Sequence, residues 1–367
     1  MERLKPMSHA TRKNIGVIGL GIIGRGVAGN LRRKGFPVYV WNRSPRSVPN
    51  FVGSPGEVAE ICNYIQIFVS DDDALLQTAQ QLSPKLTPHH LVLAHSTVAP
   101  DSMRAAAEIV ERRKARFVEA PFTGSKTAAE KGELVYYVCG NDAAVHDARP
   151  ILEAGSKEII EIGPTIGQAS AIKIATNMIT AASVQAAAEA LALVQALGLP
   201  LEKFLEAMRS NASNSATLAM KLPKMLSRDF EPHFSVKHML KDMQIANQIG
   251  LSNYLDLGVT AAARDQLLEQ MHWGHGDDDY SVIARKYLHE PAPVAGEELQ
   301  LDEQEEQVGG ESIASSAEMK TQSQQDARPE VSAAPLISVA NSGPNETTRL
   351  RPGFFKQLLS RLSSGKE

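Results

Sequence analysis

From Asn14 to about Pro164 the chain alternates short apolar runs with stretches of helical periodicity. NIGVIGLG, PVYVWN, YIQIFVS, HLVLAHS, RFVEAP and LVYYVCG read as strands, and intervening segments such as SMRAAAEIVERRK read as helices. That alternation predicts an α/β domain over 14–164, a doubly wound parallel sheet with helices on both faces. Beyond it the pattern is helical only. Apolar residues at Ile172, Ala175, Ile179, Ala182, Ala186, Leu193 and Leu197 follow the helical period. LEKFLEAMRSN, ATLAMKLPKML, SVKHMLKDMQIANQIG and YLDLGVTAAARDQLLEQM continue it, with Gly250 and Gly258 as punctuation and Pro223 as a break or kink. An all-α domain over 165–290 is expected.

Residues 1–13 form a leader and 291–367 a tail rich in Pro, Glu, Gln, Ser and Ala. Such a tail buries too little apolar surface to offset chain entropy, so disorder is expected. Its last stretch, PGFFKQLLSRLSSGKE, places Phe354, Phe355, Leu358, Leu359 and Leu362 on one helix face. That face suits a protein partner or a membrane surface, and equally a short frayed terminal helix. No internal repeat is visible.

Composition narrows the function. The 367 residues are 43% hydrophobic and 22% charged, with a formal net charge of −4, which fits a globular chain of about two domains. No basic, aromatic-interleaved block marks a nucleic-acid surface, so small-molecule chemistry is the expectation. Cys62 and Cys139 are too few for a disulfide framework and lack metal-ligand spacing. A reducing compartment is therefore expected, and the start MERLKPMSHATRKN carries no apolar signal region, which places the chain in the cytosol. The Ala-rich run after Lys173 is spotted with Gln185 and Glu189, so no membrane span is expected.

GVIGLGIIGRG sets Gly19, Gly21 and Gly24 in a G-x-G-x-x-G spacing, with Leu20, Ile22 and Ile23 between them, after a strand and at a helix opening. The first glycine allows a tight turn, the second lets backbone approach a pyrophosphate, and the third lets helix pack on strand. The helix N-terminus then faces the phosphates. At the end of the second strand an enzyme choosing NAD usually carries an acid for the ribose hydroxyls. This chain has Asn42, Arg43 and Ser44, and the guanidinium of Arg43 can pair with a 2′-phosphate, so NADP (NADPH) is favoured over NAD.

Lys173 opens a helix almost without charge, where a cation must reach water or meet an anion. Asn177 lies four residues on, on the same face. Thr123, Gly124 and Ser125 follow the strand RFVEAP, where loops line the ligand crevice of a parallel sheet, and they offer hydroxyls and backbone N–H groups to a carboxylate. The same residue types also make a plain strand-to-helix turn. His272, His275, Asp277, Asp278 and Asp279 in MHWGHGDDDYS read as a capping loop and no metal site is expected. Asp71 to Asp73 read as a helix start.

GLGIIGRGVAGNL, VWNRS, HSTVAP, EAPFTGSKTAAEKGEL, IKIATN and LKDMQIA, in this order, resemble the signatures of the β-hydroxyacid dehydrogenase family over about residues 14–288. The segment TGSKTAAEKGEL is most similar to the glyoxylate and succinic semialdehyde reductases. The family also holds 3-hydroxyisobutyrate dehydrogenase and tartronate semialdehyde reductase. The resemblance implies a two-domain NAD(P)-dependent oxidoreductase acting on small aldehyde or hydroxy acids. By the same resemblance Lys173 is the catalytic lysine and Asn177 a substrate contact. Thr97 touches the nicotinamide end of the cofactor, Lys241 contacts the cofactor from the helical domain, and Thr123-Gly124-Ser125 is the substrate loop. Thr123 replaces the usual serine and Glu119 stands where aspartate is common. Lys237 is left as a surface residue. The long Ala-rich helix has more apolar circumference than one small bundle needs, which predicts a homodimer or higher homo-oligomer.

Overall fold

A computed structural model describes residues 13–288. The first half begins with β1 (Ile15–Ile18), α1 (Ile22–Arg33), β2 (Val38–Trp41), α2 (Pro55–Ile61), β3 (Tyr64–Ile67), α3 (Asp72–Leu82), β4 (Leu91–Ala94), α4 (Pro100–Glu111) and β5 (Arg116–Glu119). These strands pair in parallel in the order β2-β1-β3-β4-β5. Strands β1, β3 and β4 are buried at every position, as continuous apolar runs covered on both faces require.

The rest of this half is less regular than the parallel expectation. It comprises β6 (Phe122–Thr123), α5 (Lys126–Lys131), β7 (Leu134–Cys139), α6 (Asp142–Gly155) and β8 (Ser156–Gly163). β7 runs antiparallel to both β5 and β6 and parallel to β8, so the eight-stranded sheet is mixed at this end. Neither β6 nor β8 stood out in the sequence. β6 is only two residues long, and SKEIIEIG shows no clean alternation because β8 is half-exposed.

The second half is helical: α7 (Gln168–Ala196), α8 (Leu201–Arg209), α9 (Ala216–Ser227), α10 (Val236–Ser252), α11 (Gly258–His272) and a closing 3₁₀ turn (Tyr280–Lys286). Gly258 begins a helix as expected, but Gly250 sits inside the last turn of α10 and Tyr254–Leu257 precede α11. Pro223 does not break its segment, since α9 continues through it to Ser227.

The face of α7 differs from the expected one. Ile172, Ala175, Ile179, Ala186, Leu193 and Leu197 are exposed and Ala182 is half-buried. Ile174, Ala181, Val184, Ala188 and Leu191 are buried, and α7 packs on α9, α10 and α11. A helix that is apolar all round offers periodicity on more than one face, so period alone does not select the buried one. By length and composition alone α7 is apolar enough to cross a membrane, a test that a helix packed in a protein core also passes. Both halves lie in one compact unit. The leader up to Arg12, the tail and its Phe354–Leu362 stripe lie outside the described residues.

Candidate active site

The glycine-rich turn joins β1 to α1. Gly19 adopts φ +94°, and a Cβ there would run into the Phe68 carbonyl; a Cβ on Gly24 would run into the Gly19 carbonyl. A Cβ on Gly21 would meet nothing within 4 Å. Two glycines are thus required by packing, while Gly21 faces open space beside the N-terminus of α1. A pyrophosphate fits that cradle. The turn is latched from β2, where the Asn42 side-chain oxygen accepts from the Leu20 N–H at 2.9 Å and its amide donates to the Ser44 carbonyl at 2.8 Å. Asn42 is therefore committed to holding the loop, and Arg43 and Ser44 beside it are exposed.

Two cavities meet between the halves. One, of about 360 Å³, is lined by Gly21, Ile22 and Gly24 of the turn, by Phe68, His95 and Ser96 from the ends of β3 and β4, and by Lys237, His238 and Lys241 of α10. The other, of about 320 Å³, is lined by Thr123, Gly124 and Ser125, by Lys173, Asn177 and Thr180 of α7, and by Thr217, Met220 and Lys221 of α9. Ile23, Thr97, Phe122, His233 and Phe234 line both. All the expected site residues except Gly19, Leu20, Asn42, Arg43 and Ser44 thus line one or both cavities.

Lys173 sits at the second cavity with only 9% of its surface exposed. Its Nζ donates to Asn177 Oδ1 at 2.9 Å, and Asn177 Nδ2 donates to Asp242 Oδ2 at 2.6 Å. The amide can face only one way, because an ammonium only donates and a carboxylate only accepts. Asp242 Oδ1 then accepts from Lys241 Nζ at 2.6 Å, and Lys241 also donates to the Thr97 carbonyl across the two halves. Burial brings the Lys173 pKa down to about 8; Asp242 pulls it back up and Lys241 adds to the fall. A lysine so placed can hold or release its proton near neutral pH.

Asp242, fully buried, is the member that sequence reading passed over. The Lys-Asp pair was visible in LKDMQIA, but nothing local links it to a residue sixty-five positions earlier. Thr97 lines both cavities, and its carbonyl holds Lys241. The Ser125 hydroxyl caps α5 by accepting from the Ala128 N–H at 3.3 Å, and Gly124 adopts φ +141°. The loop therefore serves as both cavity wall and strand-to-helix turn. Glu119 is fully buried and accepts from the N–H groups of Gly167 and Ser170, each at 2.5 Å, which anchors the start of α7 and hence Lys173.

The acidic runs cap elements as expected. Asp71 accepts from the Ala74 N–H at 2.9 Å, and His275 contacts Asp278 at 2.8 Å. Asp279 caps the closing 3₁₀ turn through the Ser281 N–H and pairs with Lys221, both oxygens lying 2.7 Å from Nζ. Lys237 is exposed and pairs with Asp277.

The chain is similar to known proteins along both halves. The family description "NAD binding domain of 6-phosphogluconate dehydrogenase" matches residues 14–163, and "NAD-binding of NADP-dependent 3-hydroxyisobutyrate dehydrogenase" matches 167–287. The chain is 29% identical to glyoxylate/succinic semialdehyde reductase 1 of Arabidopsis thaliana, covering 73% of this chain and 96% of that protein. It is 28% identical to the cytokine-like nuclear factor N-PAC of Homo sapiens over 76% of this chain, and spans only 52% of that longer protein. In fold it is similar to the crystal structure of 3-hydroxyisobutyrate dehydrogenase from Salmonella typhimurium, with a TM-score of 0.69, 22% identity, and coverage of 75% of this chain and 100% of that one. Matched in tandem across both halves, the chain belongs to the β-hydroxyacid dehydrogenase family of NAD(P)-dependent oxidoreductases.

Proposed function

We propose that the chain is an NADPH-dependent reductase of small aldehyde acids such as glyoxylate or succinic semialdehyde, working reversibly. The observation that carries this reading is the Lys173–Asn177–Asp242 series, which opens on a cavity contiguous with the one at the glycine-rich turn. When bound, the nicotinamide supplies the hydride. Lys173 gives its proton to the oxygen that gains negative charge, and its ammonium stabilises that charge more in the transition state than in the ground state. Asn177 fixes the direction of Nζ, and Asp242 keeps enough of the lysine protonated to act as an acid. Thr123 and the backbone at Gly124 offer a hydroxyl and an N–H to a carboxylate directly beside the carbonyl, as in glyoxylate. The likeness to the Arabidopsis thaliana reductase supports the substrate class. NADPH oxidation against a panel of small aldehyde acids tests the reading, and no turnover of any of them would overturn it.

Preference for NADP rests on Arg43, exposed at the end of β2 where no carboxylate stands; the NADP-dependent description of the second-half family supports it. Arg43→Asp should lower the NADPH-to-NADH ratio of kcat/KM by about tenfold, the worth of one charge-assisted contact. An unchanged ratio would remove that assignment. The exposed apolar face of α7, with Ile179 71% and Leu197 65% exposed, supports a homodimer through the helical half. A monomer mass by sedimentation would count against it. The buried free thiols of Cys62 and Cys139 support a cytosolic setting, testable by localising a tagged chain. A second reading, a cofactor-binding scaffold that recruits a partner, draws on the likeness to N-PAC. It predicts NADPH binding without turnover.

A further inference from the structure

The second cavity has more polar lining than proton transfer uses, and most of that lining is already engaged. The Thr180 hydroxyl donates to the Thr176 carbonyl at 3.0 Å, the Ser125 hydroxyl caps α5, and the Lys221 ammonium is held between both oxygens of Asp279. His233 differs. Its backbone N–H donates to Asp279 Oδ2 at 3.0 Å, so the buried ion pair fixes the residue in the loop after α9. Its ring Nδ1 lies 3.2 Å from the Met220 sulfur, a weak partner, and Nε2 has no protein partner among the described residues. The wall bearing Met220 and Lys221 belongs to α9, whereas the Lys173–Asn177 pair belongs to α7.

A substrate with its carbonyl at Lys173 can therefore present a second polar group to the imidazole. We propose that His233 binds the far carboxylate of the substrate, so that this chain prefers an aldehyde whose carboxylate is carried on a short methylene chain to the two-carbon glyoxylate. The inference rests on the reductase reading and ranks substrates within it. Electrostatics agree. Burial lowers the His233 pKa, and Lys221 and Lys224 of α9 lower it further, while Asp279 and Glu231 oppose them. A carboxylate relieves that excess of positive potential, and the ring can take up a proton as it binds. Thr217, on the same wall, offers a hydroxyl to the same group.

The test compares kcat and KM for succinic semialdehyde and glyoxylate in wild type, His233→Ala and His233→Gln at saturating NADPH, with NADPH Kd measured by fluorescence quenching. The expected result is a rise of about tenfold or more in the succinic semialdehyde KM of His233→Ala, with the kcat/KM ratio of the two substrates falling by a similar factor. His233→Gln keeps a donor and should recover part of the loss, and it carries the comparison if the alanine variant does not fold. An unchanged ratio, or a loss matched by a weaker NADPH Kd, overturns the role of His233 and leaves the reductase reading standing. Wild type that reduces neither aldehyde overturns both.

Discussion

Lys173 of α7 and Lys221 of α9 are both buried, on helices that pack against one another, and burial lowers the pKa of each. They differ in what receives the ammonium. Lys221 touches a carboxylate directly, with both Asp279 oxygens at 2.7 Å and the Tyr280 ring centroid 4.6 Å away. Desolvation pushes Asp279 up, but Lys221 and Ser281 more than offset it and hold the carboxyl below its usual range, so the pair stays charged. Lys173 touches an amide, and its carboxylate stands one hydrogen bond further away. A cation in contact with its anion is fixed. One held a step away can give up its proton.

That contrast makes three predictions. Lys173→Ala should lower kcat by about 10²- to 10⁴-fold, the usual worth of a general acid, while the melting temperature changes little. Turnover close to wild type would place the proton donor elsewhere. Asp279→Ala should do the reverse, costing about 3–5 kcal/mol of stability because Lys221 is left buried and unpaired. Urea unfolding reads that loss, and a variant as stable as wild type would show that the pair is not structural. Asp242→Asn sharpens the comparison with the smallest effect, a fall in kcat of about tenfold and a moved pH profile. Reduction needs protonated Lys173, so activity should fall as pH rises through about 8. Asp242 holds that pKa up; without it, and with the Lys241 charge uncompensated, the fall should move to lower pH. A profile that stays in place would show that Asp242 does not tune the lysine.

Much of this was legible in the chain. The switch from alternating to helical periodicity marks the two halves, and Gly19 and Gly24 have the steric roles their spacing implies. Lys173 and Asn177 share a helix face because they are four residues apart, which brings them within hydrogen-bond reach. Other features resisted for physical reasons. Thr123-Gly124-Ser125 has the composition of both a turn and a binding loop, and the Ser125 cap shows the first use. Arg43 could be placed at the end of β2, but its neighbour Asn42 turned inward to hold the glycine turn.

Local periodicity and single-residue sterics placed most of the strands and helices, the tight turn at Gly19, and a lysine and an amide on one helix face. These depend on repeats of two and 3.6 residues and on steric limits at single glycines. Packing between distant segments set Asp242 behind Asn177, paired Asp279 with Lys221, and left the apolar stripe from Ile172 to Leu197 facing outward. Those pairings join segments far apart in the chain, and α7 is apolar on every side. Its partners, rather than its own period, chose which face to bury.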